Sequence, residues 1–142
     1  MSAMFPRTTV GGISVSRMII GTNWMAGWSH TSNAADQMIK EHHSTTKTLN
    51  PMLETFVNAG VDTIMGNFSL TPTILRAVRE TEQKLGKKII MIETPSINVE
   101  DSAAGRKEAK EKIHLAKTMG ADFCLIHHAS AELLVNKEKQ EI

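Results

Sequence analysis

The sequence predicts an α/β fold with the architecture of the N-terminal half of a (β/α)8 TIM barrel. Short apolar segments alternate with amphipathic helical segments, and the apolar segments lack the polar–apolar alternation of strands that have one face in water. Such strands are typical of a parallel sheet whose connections are helices. Four strand–helix units in 142 residues match half of an eight-unit barrel, which has about 250 residues. The chain is therefore predicted to form a single domain, 1–142.

An open four-stranded sheet is the alternative topology. Sheets of that kind that bind nucleotides carry a G-x-G-x-x-G motif after the first strand, whereas this chain has GTNWMAG at that point. The half-barrel is therefore preferred. Because four strands cannot close a barrel, two edges remain unpaired. We expect the isolated chain to dimerise or aggregate, or to be continued into a full barrel by the same gene.

The N-terminal part is predicted to form a β-hairpin, followed by the first strand of the barrel. Gly11 and Gly12 separate the two β-type runs TTV and ISVS, and glycines supply the positive φ angles of a tight turn. The apolar residues 17–22 follow as a strand. The polar segment 23–48 comes next, with a short helix within it, and loops of such length in compact domains are often functional.

The rest of the chain repeats one pattern, in which a helix ends at a glycine and a strand follows. Pro51 and Pro72 are predicted at the first position of two helices, where a missing N–H does no harm. Gly60, Gly86 and Gly120 are predicted to end the three helices. The strands that follow are VDTIMG, KKIIMIE and ADFCLIH, and SAELLVNKEKQ is predicted to begin a fourth helix.

The composition excludes several classes of partner. Lys and Arg number 16 against 15 Asp and Glu, which gives a net charge of +1, so neither a nucleic acid nor an anionic membrane is expected as a partner. No apolar run approaches the ~18 residues of a membrane span. The single Cys124 cannot form an internal disulfide, and no basic segment precedes a long apolar run at the N-terminus. These features predict a cytoplasmic protein.

The candidate catalytic residues are Glu93 and His127, because active sites of parallel α/β folds lie at the carboxyl ends of the strands. Each of the two ends a predicted strand. On adjacent strands ~4.8 Å apart they are expected to be neighbours and to titrate as a coupled pair. A carboxylate beside an imidazole orients the ring and fixes its tautomer, as general acid–base catalysis requires. His128 is expected on the opposite face, because side chains alternate along a strand.

The candidate substrate-binding residues are Asn23, Trp24, His30 and Asn67, which follow the first two strands of the predicted sheet. Each also has a structural interpretation, since strand-end amides often bind loop backbone and a tryptophan often packs under a loop. His30 is a candidate third ligand for a divalent metal that Glu93 and His127 would also bind. Two convincing ligands are fewer than a metal site generally needs, so a metal-free site is predicted.

Three segments resemble aldo/keto reductases. TTVGGISVSRMIIGTN is similar to the opening hairpin and first strand of that family, AGVDTIMGNF to its second strand, and GADFCLIHHAS to its fourth strand. The resemblance spans most of the chain in order, although each motif is short. It implies a TIM barrel, an oxidoreductase-like activity and a catalytic histidine at His127.

The chain departs from the family at the other catalytic positions. Met65 occupies the position of the family's catalytic aspartate, and Asn67 and Phe68 occupy the position of its catalytic tyrosine. Glu93 and Thr94 occupy the end of the third strand, where the family has its catalytic lysine. The resemblance therefore carries over the barrel and the position of His127, and not the hydride-transfer reaction. No motif identifies a cofactor, and we expect no saturable NADPH binding.

The sequence thus favours an enzyme that acts on a small polar metabolite by acid–base chemistry. Three alternatives remain open, namely an NAD(P)H-dependent oxidoreductase with an atypical proton donor, a metal-dependent barrel enzyme and a non-catalytic barrel relative that binds a ligand.

Overall fold

The computed structural model describes residues 5–136, 138 and 139. Two sheets are present in this part of the chain. Strand β1 (Arg7–Val10) pairs antiparallel with β2 (Ile13–Ser16). The turn between them has positive φ at both Gly11 and Gly12, which confirms the predicted hairpin.

The second sheet has four parallel strands in the order β3-β4-β5-β6. They are β3 (Ile20–Gly21), β4 (Thr63–Gly66), β5 (Ile90–Glu93) and β6 (Phe123–Cys124). Chain order and spatial order agree, so the sheet contains no point at which the order reverses. The α/β class and the parallel sheet are confirmed.

Six helices connect or follow these strands in the described part of the chain. They are α1 (Asn23–Ala26), α2 (Asn33–His42), α3 (Thr46–Asn58), α4 (Pro72–Leu85), α5 (Ala103–Thr118) and α6 (His128–Glu132).

Two predicted helix starts are wrong, and both predicted boundaries of α4 are confirmed. Helix α3 begins at Thr46, one turn before the predicted start, because the Thr45 hydroxyl accepts the amide of Lys47 and caps the helix there. Pro51 therefore lies inside the helix, within its first turns. Helix α6 begins at His128 rather than at Ser130. The predicted start of α4 at Pro72 and its end before Gly86 are confirmed.

The apolar core lies between the parallel sheet and helices α3 and α4. Ile64 and Met91 pack from the sheet against Leu53 and Val78 of the two helices, and all four are fully buried. Because side chains alternate along a strand, the neighbours of Ile64 and Met91 in the sequence point to the opposite face of the sheet. That face has apolar side chains, but most are only half-buried: Met65, Ile90, Ile92 and Phe123.

The hairpin covers the amino end of this second face. The amide of Ser16 donates to Thr63 Oγ1 over 3.0 Å, and the amide of Thr63 donates to Ser16 Oγ over 3.2 Å. Arg7 adds two hydrogen bonds from its Nη1 to both carboxylate oxygens of Asp62, at 3.0 and 2.9 Å. The carboxyl end of the face remains open. No described helix has both the length and the apolar character needed to cross a membrane.

Candidate functional site

A cavity of about 850 Å³ opens at the carboxyl ends of the parallel strands. Its walls come from the last residues of β3 and β4 and from the segments that follow all four strands. The residues that line it are Gly21, Thr22, Asn23, Trp24, Trp28, His30, Met65, Gly66, Asn67, Leu70, Thr94, Ser96, Leu125, Ile126, His127 and His128. Five of the six predicted site residues are in this set, and Glu93 is the exception.

Asn23 and His30 form one wall of the cavity. Asn23 begins the four-residue helix α1, which ends at Gly27 with a φ of 72°. The chain then turns back, and His30 has a φ of 58°, a conformation that few non-glycine residues adopt. Asn23 Nδ2 lies 3.0 Å from His30 Nε2. Since an amide nitrogen only donates, Nε2 accepts and the neutral His30 ring has its proton on Nδ1.

The turn that contains His30 is held by Asp36, which lies in the first turn of α2. Asp36 Oδ1 accepts the Ser29 amide at 2.7 Å and the Ser29 hydroxyl at 2.6 Å. The hydrogen bond from the Ser29 hydroxyl, followed by that from its amide, lowers the pKa of the Asp36 carboxyl below its ordinary value of 3.8. Sequence reasoning missed this role of Asp36, although an acidic residue in the first turn of a helix is a recognisable signal.

Asp36→Asn is expected to loosen the turn that holds His30 at neutral pH. Because the pKa of Asp36 is lower in the folded than in the unfolded chain, its stabilising contribution is complete above the unfolded value and is lost as the pH falls through the lower folded value. Amide hydrogen exchange at Ser29, measured by NMR at pH 7, should be several-fold faster in Asp36→Asn. Glu41→Gln, an exposed carboxylate of the same helix, is the control. Equal exchange in Asp36→Asn and wild type would contradict this role.

Asn67 supplies a hydrogen-bond donor to the cavity. The residue is only 9% exposed, and its Oδ1 accepts the Ser69 hydroxyl at 2.6 Å. Its Nδ2 makes no hydrogen bond within the described part of the chain. With the carbonyl oxygen engaged, the amide N–H groups are the part of Asn67 that is available to a ligand.

Glu93 does not line the cavity, and it binds backbone rather than His127. The side chain is 1% exposed. Its Oε2 accepts the Phe68 amide at 2.7 Å, and its Oε1 accepts the Ser69 amide at 3.4 Å. The carboxylate therefore fixes the loop between β4 and α4, which presents Asn67 to the cavity.

The prediction that Glu93 and His127 are neighbours on adjacent strands is wrong. Strand β6 ends at Cys124, and the register places Cys124 opposite Glu93. No hydrogen bond or ion pair joins Glu93 to His127 among the described residues. His127 lies three residues beyond the strand end, where the chain has already turned toward α6.

His127 is oriented by the backbone of α6. It occupies the N-cap position of this helix, and its Nδ1 accepts the Ala129 amide at 3.2 Å. A neutral imidazole that accepts at Nδ1 has its proton on Nε2, so His127 is a hydrogen-bond donor through Nε2. The ring packs at 4.3 Å between centroids on that of His128, which also lines the cavity. The predicted placement of the two histidines on opposite faces of a strand is therefore wrong.

The chemistry of the walls restricts the ligand. No Lys, Arg, Asp or Glu is among the described residues that line the cavity, so a cationic ligand would find no carboxylate there and an anionic ligand no permanently charged side chain. No group of three His, Cys, Asp or Glu residues close enough to bind a metal occurs in the described part of the chain. Loss of hydration at the thiol, together with the nearby Glu93 carboxylate, raises the pKa of Cys124, which disfavours the nucleophilic thiolate.

Gly66→Ala is expected to lower the free energy of unfolding by about 1–3 kcal/mol, because an added Cβ would overlap the buried Thr22 side chain at the cavity wall. Gly21→Ala is the matched control, since Gly21 ends the adjacent strand β3 and has open space where a Cβ would be. Urea denaturation followed by circular dichroism measures both variants. Equal losses in the two would show that the contact with Thr22 is not the cause.

Comparison of the chain with protein-family models, curated proteins and solved structures gave no match. The cavity and the residues that line it are therefore the features that bear on function.

Proposed function

We propose that the chain is the N-terminal half of a (β/α)8 TIM barrel, similar to aldo/keto reductases, and that its cavity is the active site of an enzyme acting on a small, uncharged polar metabolite by acid–base chemistry. The unreversed strand order supports the barrel, because right-handed connections between successive neighbours place all helices on one face. The hairpin at the amino end of the other face supports it as well.

One observation carries the functional part of the proposal. Asn23, Trp24, His30, Asn67 and His127 come from segments after three different strands, and all of them line one cavity at the carboxyl end of the sheet. Ligand sites of parallel α/β folds lie at this end. Polar groups that converge on a largely apolar cavity are the usual composition of a small-molecule site.

The available donors suit a ligand with a carbonyl oxygen. His127 donates through Nε2, and Asn67 donates through Nδ2. A neutral imidazole that donates to a carbonyl oxygen polarises the carbonyl group and stabilises the negative charge that develops on this oxygen when the adjacent carbon loses a proton. Trp24 is 59% exposed and, with Trp28, offers a flat apolar wall for the carbon skeleton. Glu93, in this proposal, is a positioning residue that acts through the Phe68 and Ser69 amides.

Deuterium exchange into glyceraldehyde tests the proposal without a cofactor. A site that polarises a carbonyl group makes the C–H on the adjacent carbon more acidic. A base from the buffer then removes that proton, D2O returns a deuteron to the carbon, and proton NMR detects the exchange. We expect exchange above the buffer rate, and saturation as glyceraldehyde increases. Saturable binding of glyceraldehyde without exchange would instead favour the non-catalytic ligand-binding alternative.

NADPH titration tests the oxidoreductase alternative. The cavity has no Lys or Arg in its described walls to bind the cofactor phosphates, so we expect no saturable change in NADPH fluorescence at micromolar concentration. Saturable binding would favour a reductase with an atypical proton donor and would contradict a site for uncharged ligands alone.

A further inference from the structure

The parallel sheet has two open edges within the described part of the chain. There, strand β3 pairs only with β4 and β6 pairs only with β5, so each edge has backbone groups without a strand partner among the described residues. Large apolar side chains are exposed beside both edges. Met18 and Ile19 precede β3 and are 49% and 43% exposed, and Leu125 follows β6 and is 55% exposed. Exposed apolar edges of this kind favour pairing with another strand.

The exposed area of the chain is larger than its mass predicts. The accessible surface is 9298 Å², whereas a folded monomer of 15.6 kDa exposes about 7,200 Å². After the largest area that the eight residues outside the described part could contribute is allowed for, the excess is about 1,000 Å² per chain. An excess of that size on each of two copies is comparable with the area that a permanent homodimer interface buries.

We propose that a second copy of this chain closes the sheet. A twofold axis parallel to the strands places β6 of each copy beside β3 of the other, which gives eight parallel strands and leaves no edge. The half-buried face that includes Met65, Ile92 and Phe123 becomes the barrel interior. Net charge is +1 per chain, so the two copies repel each other only weakly.

Closure also completes the cavity. All eight strands point in the same direction about this axis, so the cavities of the two copies open at the same end of the barrel. The walls that lack a neighbour are those beside β3 and β6, near Trp24 and Leu125, and these are the walls that the second copy covers. Each copy therefore contributes its own Asn67 and His127 to one shared mouth.

Sedimentation equilibrium of the 142-residue chain tests this proposal. We expect twice the mass of 15.6 kDa at micromolar concentration. Leu125→Lys and Ile19→Lys place a charge beside the two edges, and each should raise the dissociation constant at least tenfold. Gln83→Lys, an exposed position on α4, is the control and should leave the dimer intact. Circular dichroism verifies that each variant is folded, and two variants on different edges keep the test open if one of them unfolds.

A monomer at 100 µM with cooperative unfolding would overturn the proposal and would mean that something other than a second copy covers the edges. A dimer insensitive to both edge substitutions, or polydisperse aggregates in place of a dimer, would overturn it as well. The inference rests on the half-barrel part of the proposed function and not on its chemistry. Because sedimentation uses no ligand, failure of the glyceraldehyde assay leaves this result unaffected.

Discussion

Glu93→Ala is expected to lower the free energy of unfolding by about 2–4 kcal/mol, because each buried amide left without an acceptor costs roughly 1–3 kcal/mol. The Phe68 amide, at 2.7 Å from Oε2, accounts for most of this loss, since the Ser69 contact is longer at 3.4 Å. The loss is a large fraction of the ~5–15 kcal/mol by which domains are usually stable. Urea denaturation at neutral pH gives the value.

Two further variants separate the hydrogen bonds from the change in volume. Glu93→Gln keeps the size of the side chain and one acceptor oxygen, so it should lose about half as much stability as Glu93→Ala. Glu100→Ala removes an exposed carboxylate and should change stability by less than ~0.5 kcal/mol. If Glu93→Ala were as stable as Glu100→Ala, the carboxylate would not hold the loop between β4 and α4.

His127→Ala is expected to reduce glyceraldehyde exchange by about 10²–10⁴-fold, the usual contribution of a positioned general acid or base. The same change also removes the N-cap of α6. His127→Asn separates the two roles, because asparagine is a good N-cap residue and lacks the imidazole N–H. We expect His127→Asn to be as stable as wild type and as inactive as His127→Ala.

His114→Ala is the control for loss of an imidazole, since His114 is exposed on α5, a helix that does not line the cavity. The His114→Ala variant should exchange deuterium into glyceraldehyde at the wild-type rate. Full exchange in His127→Asn would show that His127 only caps a helix, and the acid–base assignment would then be wrong.

The fold class was predictable because its signals are local. Three features depend on backbone conformations that a few residue types prefer. They are the turn at Gly11 and Gly12, the start of α4 at Pro72 and the end of α4 at Gly86. The start of α3 was missed because two start signals compete: Thr45 is a suitable N-cap, and Pro51 is suitable at a first helical position. Tertiary packing decides such cases, and single-sequence reasoning does not include it.

The candidate site was predictable as a location but not as a set of contacts. The rule that parallel strands present their ligand sites at the carboxyl end was sufficient to select Asn23, His30, Asn67 and His127. The partner of Glu93 was not predictable, because it depends on where β6 ends and on how the loop at Phe68 turns back over β5. A buried carboxylate needs hydrogen bonds, but sequence does not say whether an imidazole or a backbone amide donates them.

The most direct test of the cavity as the ligand site is NMR mapping of glyceraldehyde binding. We expect the side-chain amide signals of Asn67, the indole signal of Trp24 and the ring signals of His127 to shift together along one saturable curve, while those of His114 stay unchanged. If these signals remain fixed while glyceraldehyde binds, or if shifts appear only outside the cavity, the central claim is contradicted.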